Sequence, residues 1–493
     1  MPTDRSRGPA PWSAARPFAA ACLALGLLLV GFYVWLAHAE YFFGDDFVFL
    51  RRAQQPRDWA EVFVSFRSRG WWSYRPLSIE VFFSALNAVA GTNAFPYLLT
   101  SLAVHFATGA LVYRIALQLG IEWRVAIVVG LLKVAMYPSL NGELFWASAF
   151  QTVLGTFFYV LAVSLFLDYL TRDRRPLFQI ATTLAMLAAL LSNELAMTLP
   201  GPLVVLALVF GEGDARQRIR GTLRACAPMI VLLGIYLPFR YVLIGASFTP
   251  TPPLNLPHLG WHVPWNVLNF VRILGKRSTL LVDLLLAIVV AGWACAAWAR
   301  DGSLHTLARR VVALAGWLLC AMVPYLGMYF LHHRAAIVLE APFCLLVAAH
   351  LDPIVRRAVT PRATRVVEVG LIALLVLAFP YQVVGEQARV PRGKVNRDLL
   401  DILAREPGGV PDGACVRLQT RPEDSWLPKD IGMLRFATGL VLAIPYPNAF
   451  LEVPVEPGKP QLWRQKCSKL IAIEVLHGPA DTQTTFVLRR AAG

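Results

Sequence analysis

AAACLALGLLLVGFYVWLAHA, Ala19 to Ala39, decides the architecture, because it runs for a whole stretch without Asp, Glu, Lys or Arg. A helix rising 1.5 Å per residue needs about 20 such residues to cross a bilayer core of about 30 Å. Directly after it comes YFFGDDFVFLRR, Tyr41 to Arg52, where two adjacent carboxylates stand at the mouth of the apolar run. The rest of the chain has the same character. Its 493 residues are 57% hydrophobic and 16% charged, with a mean hydropathy of +0.54. That is too apolar for a water-soluble protein of this length and specifies a polytopic membrane protein. Helices follow, because backbone polar groups in lipid must be satisfied within the segment.

The net charge of +15 does not indicate nucleic acid, since the bases form no stripe with interleaved aromatics and lie mostly in short loops between apolar runs. Such loops report topology. Residues 1–17 carry Arg5, Arg7 and Arg16 against Asp4 and read as a cytoplasmic tail. Residues 18–38 are the first span. Ala37-His38-Ala39 imitates a signal-peptidase site, but the apolar run exceeds the usual signal core, so an uncleaved anchor is expected. The aspartates lie outside under either reading. Further spans are expected at 96–118, 125–139, 150–170, 177–192, 195–210, 225–243, 279–299, 311–331, 335–350 and 366–384, about eleven in all. RDRR at 172–175, RQRIRGTLR at 216–224, Arg300 with Arg309 and Arg310, and RRAVTPRATR at 356–365 fall on the inner side. An odd count sends the C-terminus to the periplasmic or extracellular side.

The expected fold is therefore mostly α: a transmembrane module over 18–384 and a small α/β or β-rich exterior domain over 385–493. Residues 40–95 form a large first outer loop, whose DWAEVFVSFRSRGWW is expected to lie along the membrane surface. A second long outer loop, 244–278, is rich in Pro and Trp. The β-like runs ACVRLQT, LVLAIPY, LIAIEVL and TTFVLRR mark the last domain. Five cysteines, Cys22, Cys226, Cys295, Cys320 and Cys344, fall in apolar spans. Cys415 and Cys467 lie in the exterior domain, where an oxidising compartment would allow them to pair. No CxxC spacing suggests a zinc ribbon.

Two readings stand for Asp45 and Asp46. One is a helix cap. The other is a general base or cation ligand whose pKa is raised by partial desolvation and a like neighbour. Neighbours in sequence point in different directions, so the two carboxylates are expected to have different jobs. Glu143, in YPSLNGELFWASAFQ, and Glu194, in SNELAMTLP, join them on the outer side, either as functional acids at membrane depth or as loop residues in water. Basic partners on that side are Arg75, Lys276 with Arg277, and His332, His333 and Arg334. They are suited to a lipid phosphate or, more blandly, to snorkelling. His258 and His262 are flanked by prolines and make poor metal ligands. His105, inside a span, is expected to hydrogen-bond between helices rather than to catalyse.

Five segments in order resemble the GT-C superfamily of membrane glycosyltransferases. The likeness is to protein-O-mannosyltransferase-like enzymes, including the membrane part of the tetratricopeptide-bearing transmembrane O-mannosyltransferases and bacterial relatives. The segments are YFFGDDFVFL, Tyr74 to His105 beginning YRPLS, YPSLNGELFWASAFQTVLGTFFYVL, SNELAMTLP and HHRAAIVLEAP. Asn193 stands where the family has Lys, Ala335 and Ile337 replace aromatics, and no tetratricopeptide repeats follow.

The resemblance implies sugar transfer, usually with inversion, from a polyprenyl-phosphate donor to a glycan, lipid or protein acceptor outside the cytoplasm of a bacterial inner membrane. Asp45 or Asp46 would be the base. Arg75 and Arg334, with His333 beside them, would bind the phosphate, while Glu143 and Glu194 would orient the sugar or the base. No cofactor is required, and a divalent cation is compatible. The competing readings are a transporter or flippase for lipid-linked glycans, which should show broken helices in matched halves, and a non-catalytic membrane scaffold.

Overall fold

A computed structural model describes residues 12–42, 45–54, 62–63, 74–136, 144–171, 175–244, 279–299, 302–326, 333–358, 360–378, 391–411, 415–420, 450–452, 470–477 and 486–490. The expected surface helix over DWAEVFVSFRSRGWW, apart from Val62 and Phe63, and the whole of 245–278 lie outside the described residues, as do Glu143, His258, His262, His332 and Cys467.

The charge-free opening run folds as helix α1 (Trp12–Ala39). Helices lie in the described part of the stretch expected as the first outer loop. That stretch holds α2 (Asp46–Ala53), a single π-helical turn at Pro76–Val81, and α3 (Phe82–Ala90), which continues from it. Membrane-type helices follow: α4 (Ala94–Gln118), α5 (Trp123–Ala135), α6 (Phe150–Thr171) led in by a 3-10 turn at Ala147–Ala149, and α7 (Pro176–Ser192). Another 3-10 turn, Glu194–Thr198, opens α8 (Pro200–Phe210). After it come α9 (Ala215–Ile244), α10 (Thr279–Trp298), α11 (Ser303–Leu326), α12 (His333–Arg357) and α13 (Pro361–Ala378).

Each expected span overlaps a helix. Among the described residues, six stretches are long and apolar enough to cross a membrane: Arg16–His38, Ala94–Gln118, Ala147–Thr171, Ala215–Leu243, Ser303–Val323 and Ile337–Arg357. Helices Pro76–Ala90, Pro176–Ser192, Glu194–Phe210 and Ala287–Trp298 are apolar but shorter.

Beyond the bundle, among the described residues, α14 (Pro391–Ala404) precedes four strands: β1 (Cys415–Thr420), β2 (Phe450–Glu452), β3 (Leu470–His477) and β4 (Phe486–Arg490). Three of the four β-like runs coincide with strands, and LVLAIPY lies outside the described residues. The sheet order is β2-β1-β3-β4, with β1 parallel to β2 and β3, and β3 antiparallel to β4.

Backbones meet closely where glycine allows it. A Cβ on Gly109 of α4 would lie 2.9 Å from the Gly130 carbonyl of α5, so a larger residue there would force the helices apart. His105 reaches the Val134 carbonyl at 3.1 Å, the interhelical bond expected of it. Tyr33 donates to the same oxygen at 2.9 Å.

One end of the bundle is tied by ions. Arg310 donates to the carbonyls of Leu119 at 3.0 Å and Gly120 at 2.8 Å, and pairs with Asp352 at 2.7 Å. Arg356 shares that carboxylate at 2.9 Å and reaches Gly120 O at 2.7 Å. Arg124 pairs with Glu368 at 3.0 Å. These bonds join the α4–α5 turn to α11, α12 and α13, and Arg310 and Arg356 belong to basic stretches expected on one side. Gly120, at φ 70°, adopts the left-handed turn that glycine permits after a helix.

Candidate active site

The opposite end carries the acidic turn. Asp45 stands at the N-cap position of α2 but makes no capping bond with its side chain. Asp46, fully buried, accepts instead from the backbone N–H of Ser148 at 2.6 Å and from the Ser148 hydroxyl. Ser148 lies in the 3-10 turn that leads into α6. Its N–H is among the free donors that any helix start leaves over, and a carboxylate is well placed against the positive end of the helix dipole. Capping therefore explains Asp46, but on a membrane helix other than its own. Asp45 is half-buried beside it, so burial and partners separate the two carboxylates.

Three residues beyond Ser148, and thus on the same side of the helix, Gln151 accepts through Oε1 from Arg75 Nη1. The Arg75 Nε donates to Glu194 Oε2. Arg240, from the end of α9, approaches the other oxygen of Glu194 at 3.4 Å. Ser148 and Gln151 thus hold Asp46 and Arg75 from one turn, and Glu194 gathers two guanidiniums.

The surrounding elements explain the placement. Arg75 precedes Pro76, which keeps it out of helical geometry (φ −140°, ψ 61°) and aims it across the bundle before the π turn begins. Single π turns often mark functional sites. Ser78 on that turn donates to the Ser192 carbonyl at 2.7 Å, fastening it to the end of α7. Glu80 pairs with Arg52 at 2.5 Å, fastening it to α2. Asn193 caps the Glu194 turn by accepting from Leu195 N at 3.0 Å. It can sit there because Gly155 of α6 has no side chain: a Cβ on Gly155 would meet Asn193 Cβ at 2.7 Å. Phe82 stacks on Phe150 with centroids 3.8 Å apart, closing the group from behind.

Of the residues that the sequence singled out, the structure links Asp46, Arg75 and Glu194 through Ser148 and Gln151, and Asp45 is the chain neighbour of Asp46. Glu143 falls outside the described residues. His333 and Arg334 open α12, and their side chains lie outside the description. Sequence reading missed Ser148, Gln151 and Arg240, and also Lys133 of α5, which pairs with Glu340 of α12 at 2.6 Å with both side chains fully buried. Among the described residues no three His, Cys, Asp or Glu side chains converge as metal ligands.

The overall fold is similar to that of solved structures. It aligns with ArnT from Cupriavidus metallidurans in the apo state at a TM-score of 0.50 and 13% identity, over 94% of this chain and 93% of that one. With the same protein bound to undecaprenyl phosphate the TM-score is 0.50 at 12% identity, over 94% of each chain. An Archaeoglobus fulgidus oligosaccharyltransferase, in complex with Zn and sulfate, aligns at 0.48 and 14%, over 82% of this chain and 60% of that one. No family model and no curated protein sequence matches the chain.

Proposed function

We propose that the protein is a glycosyltransferase of a bacterial inner membrane, moving a sugar from a polyprenyl-phosphate carrier to an acceptor on the outer side with inversion at the anomeric carbon. The observation that carries this reading is the shared grip of Ser148 and Gln151, which sets an acidic turn beside a guanidinium group at one end of the bundle. A complex of the ArnT neighbour holds undecaprenyl phosphate, a carrier of the class proposed here. The ordered motifs point to the protein-O-mannosyltransferase-like branch.

In this mechanism Asp45 is the base. The acceptor hydroxyl gives its proton to the Asp45 carboxylate, and its oxygen bonds to the anomeric carbon. The bond from that carbon to the phosphate oxygen breaks, and the phosphate keeps the electron pair. Arg75 and Arg240, with Arg334 from α12, stabilise the charge that develops there. Asp46 keeps the turn in place, Glu194 holds the two arginines in orientation, and Glu143 and His333 contact the sugar and the phosphate. The reaction as written requires no cofactor.

Asp45→Asn, in full-length protein reconstituted in vesicles, tests the reading through initial transfer rates. A base contributes about 10²- to 10⁴-fold, and a loss on that scale with the fold intact is the expected result. Full activity would remove Asp45 from the chemistry. The buried Lys133–Glu340 pair favours a second reading, a flippase, because ionisable groups inside a membrane often line transport paths. Translocation of a lipid-linked glycan without bond formation in the same vesicles would establish it.

A further inference from the structure

Helix α14 follows the membrane region in sequence, yet it packs against the approach to the acidic turn. Arg397 Nη2 donates to the Glu40 carbonyl at 3.0 Å, and its guanidinium carbon lies 5.3 Å from the centroid of the Tyr41 ring. Further along the helix, Leu399 and Leu403 are fully buried in the apolar cluster that contains Phe42, Phe47, Phe49 and Leu50. Val416 of β1 and Ile471 of β3 belong to that cluster as well. From the bundle side, Tyr97 of α4 meets Phe42 edge-on at 5.1 Å. Residues 40–42 are thus held between α4 and the C-terminal segment, three residues before Asp45.

The chemistry of the contact suits positioning. A guanidinium over an aromatic face combines a cation–π attraction with directed hydrogen bonds, and lysine reproduces only part of that. Burial pushes the Tyr41 phenol above its usual pKa; Arg397 opposes the shift and Asp401 adds to it. The ring therefore stays neutral across physiological pH, and so does its face towards Arg397.

We propose that Arg397 is a positioning residue for transfer: by clamping Glu40 and Tyr41 it fixes where the Asp45–Asp46 turn begins, and the C-terminal segment is a working part of the site rather than an appended binding module. The inference rests on the reading of Asp45 as base. Displacing a reacting group by about 1 Å costs on the order of 10²-fold in rate, so a small relaxation of residues 40–42 is enough to be measured.

The test uses the full chain in nanodiscs, with undecaprenyl-phosphate hexoses as donor probes and amide hydrogen exchange as an independent readout. Arg397→Ala is expected to lower kcat ten- to a hundredfold with donor KM within twofold, and to speed exchange over residues 45–50 while α4 and α6 stay protected. Arg397→Lys should recover part of the rate. Tyr41→Ala should match Arg397→Ala, and the double variant should be no slower than the worse single, as for residues acting through one contact.

An unchanged kcat in Arg397→Ala while Asp45→Asn is inactive overturns the clamp and leaves the base assignment standing. Full activity of Asp45→Asn overturns the base assignment instead. If Arg397→Ala fails to fold, Arg397→Lys and Tyr41→Ala carry the same comparison. If no hexose donor is turned over by the unaltered protein, unchanged exchange at 45–50 in the variants overturns the clamp.

Discussion

Asp46 caps the helix of Ser148, 102 positions further along the chain, by accepting its backbone N–H at 2.6 Å. The acidic turn is thereby fastened to the start of a membrane helix, and its position is set by the bundle rather than by its own short helix. Helix starts have donors to spare. Here the spare donor orients the element that carries the proposed base.

Ser148→Ala removes the hydroxyl bond and keeps the backbone one. A hydrogen bond to a charged group contributes about 1.5–3 kcal/mol, so thermal melts should show a loss at the lower end of that range. Transfer should fall by about tenfold as the acidic turn loosens. An unchanged rate would mean that Asp46 is placed without the Ser148 hydroxyl.

Arg75→Lys keeps the charge but not the fork that serves Gln151 and Glu194 together. Transfer should drop more than tenfold with only a small change in melting temperature. Glu194→Gln should cost more stability, about 3 kcal/mol, because the buried Arg240 loses this ion-pair partner. Equal melting temperatures for the two variants would contradict the network described here.

Gly155→Ala places a methyl group against Asn193. Overpacking costs about 1–3 kcal/mol, and the shift is passed to Glu194, the next residue. Activity is expected to fall further than stability, and Gly155→Val should fall further still. If both variants behave as the unaltered protein does, the Asn193 turn moves freely.

Lys133→Met leaves Glu340 buried without that ion-pair partner and should cost about 3–5 kcal/mol, whereas Lys133→Met with Glu340→Leu should recover most of the loss. The comparison is read from melting curves in detergent. A double variant as unstable as the single would show that the pair stabilises by more than mutual neutralisation.

The bundle was legible in the sequence because crossing lipid demands long apolar helices, and hydropathy reports that demand directly. Asp46, Arg75 and Glu194 were legible because charges at the ends of such helices are costly. Ser148 and Gln151 carry no charge, and their roles arise only when α2 and the π turn fold back on α6. Arg240, Lys133 and Glu340 did leave a signal, a charged residue inside an apolar span, but averaging over about 20 residues absorbs one charge. Arg397 left no local trace: its partner Glu40 stands 357 positions earlier, just after the first span. That adjacent residues point in different directions predicts different surroundings for Asp45 and Asp46, but not which of the two is buried.

The buried Lys133–Glu340 pair also bears on how the chain is made. Helix α5 has 13 residues, about 20 Å at 1.5 Å each, too short to span hydrocarbon alone, and it carries a lysine besides. During synthesis it emerges long before α12 brings Glu340. A nascent chain must shelter that ammonium among its earlier neighbours or near the headgroups until α12 arrives. Products cut short ahead of Ser303 should therefore be cleared by membrane quality control, and pulse-chase labelling of such truncations would reveal it.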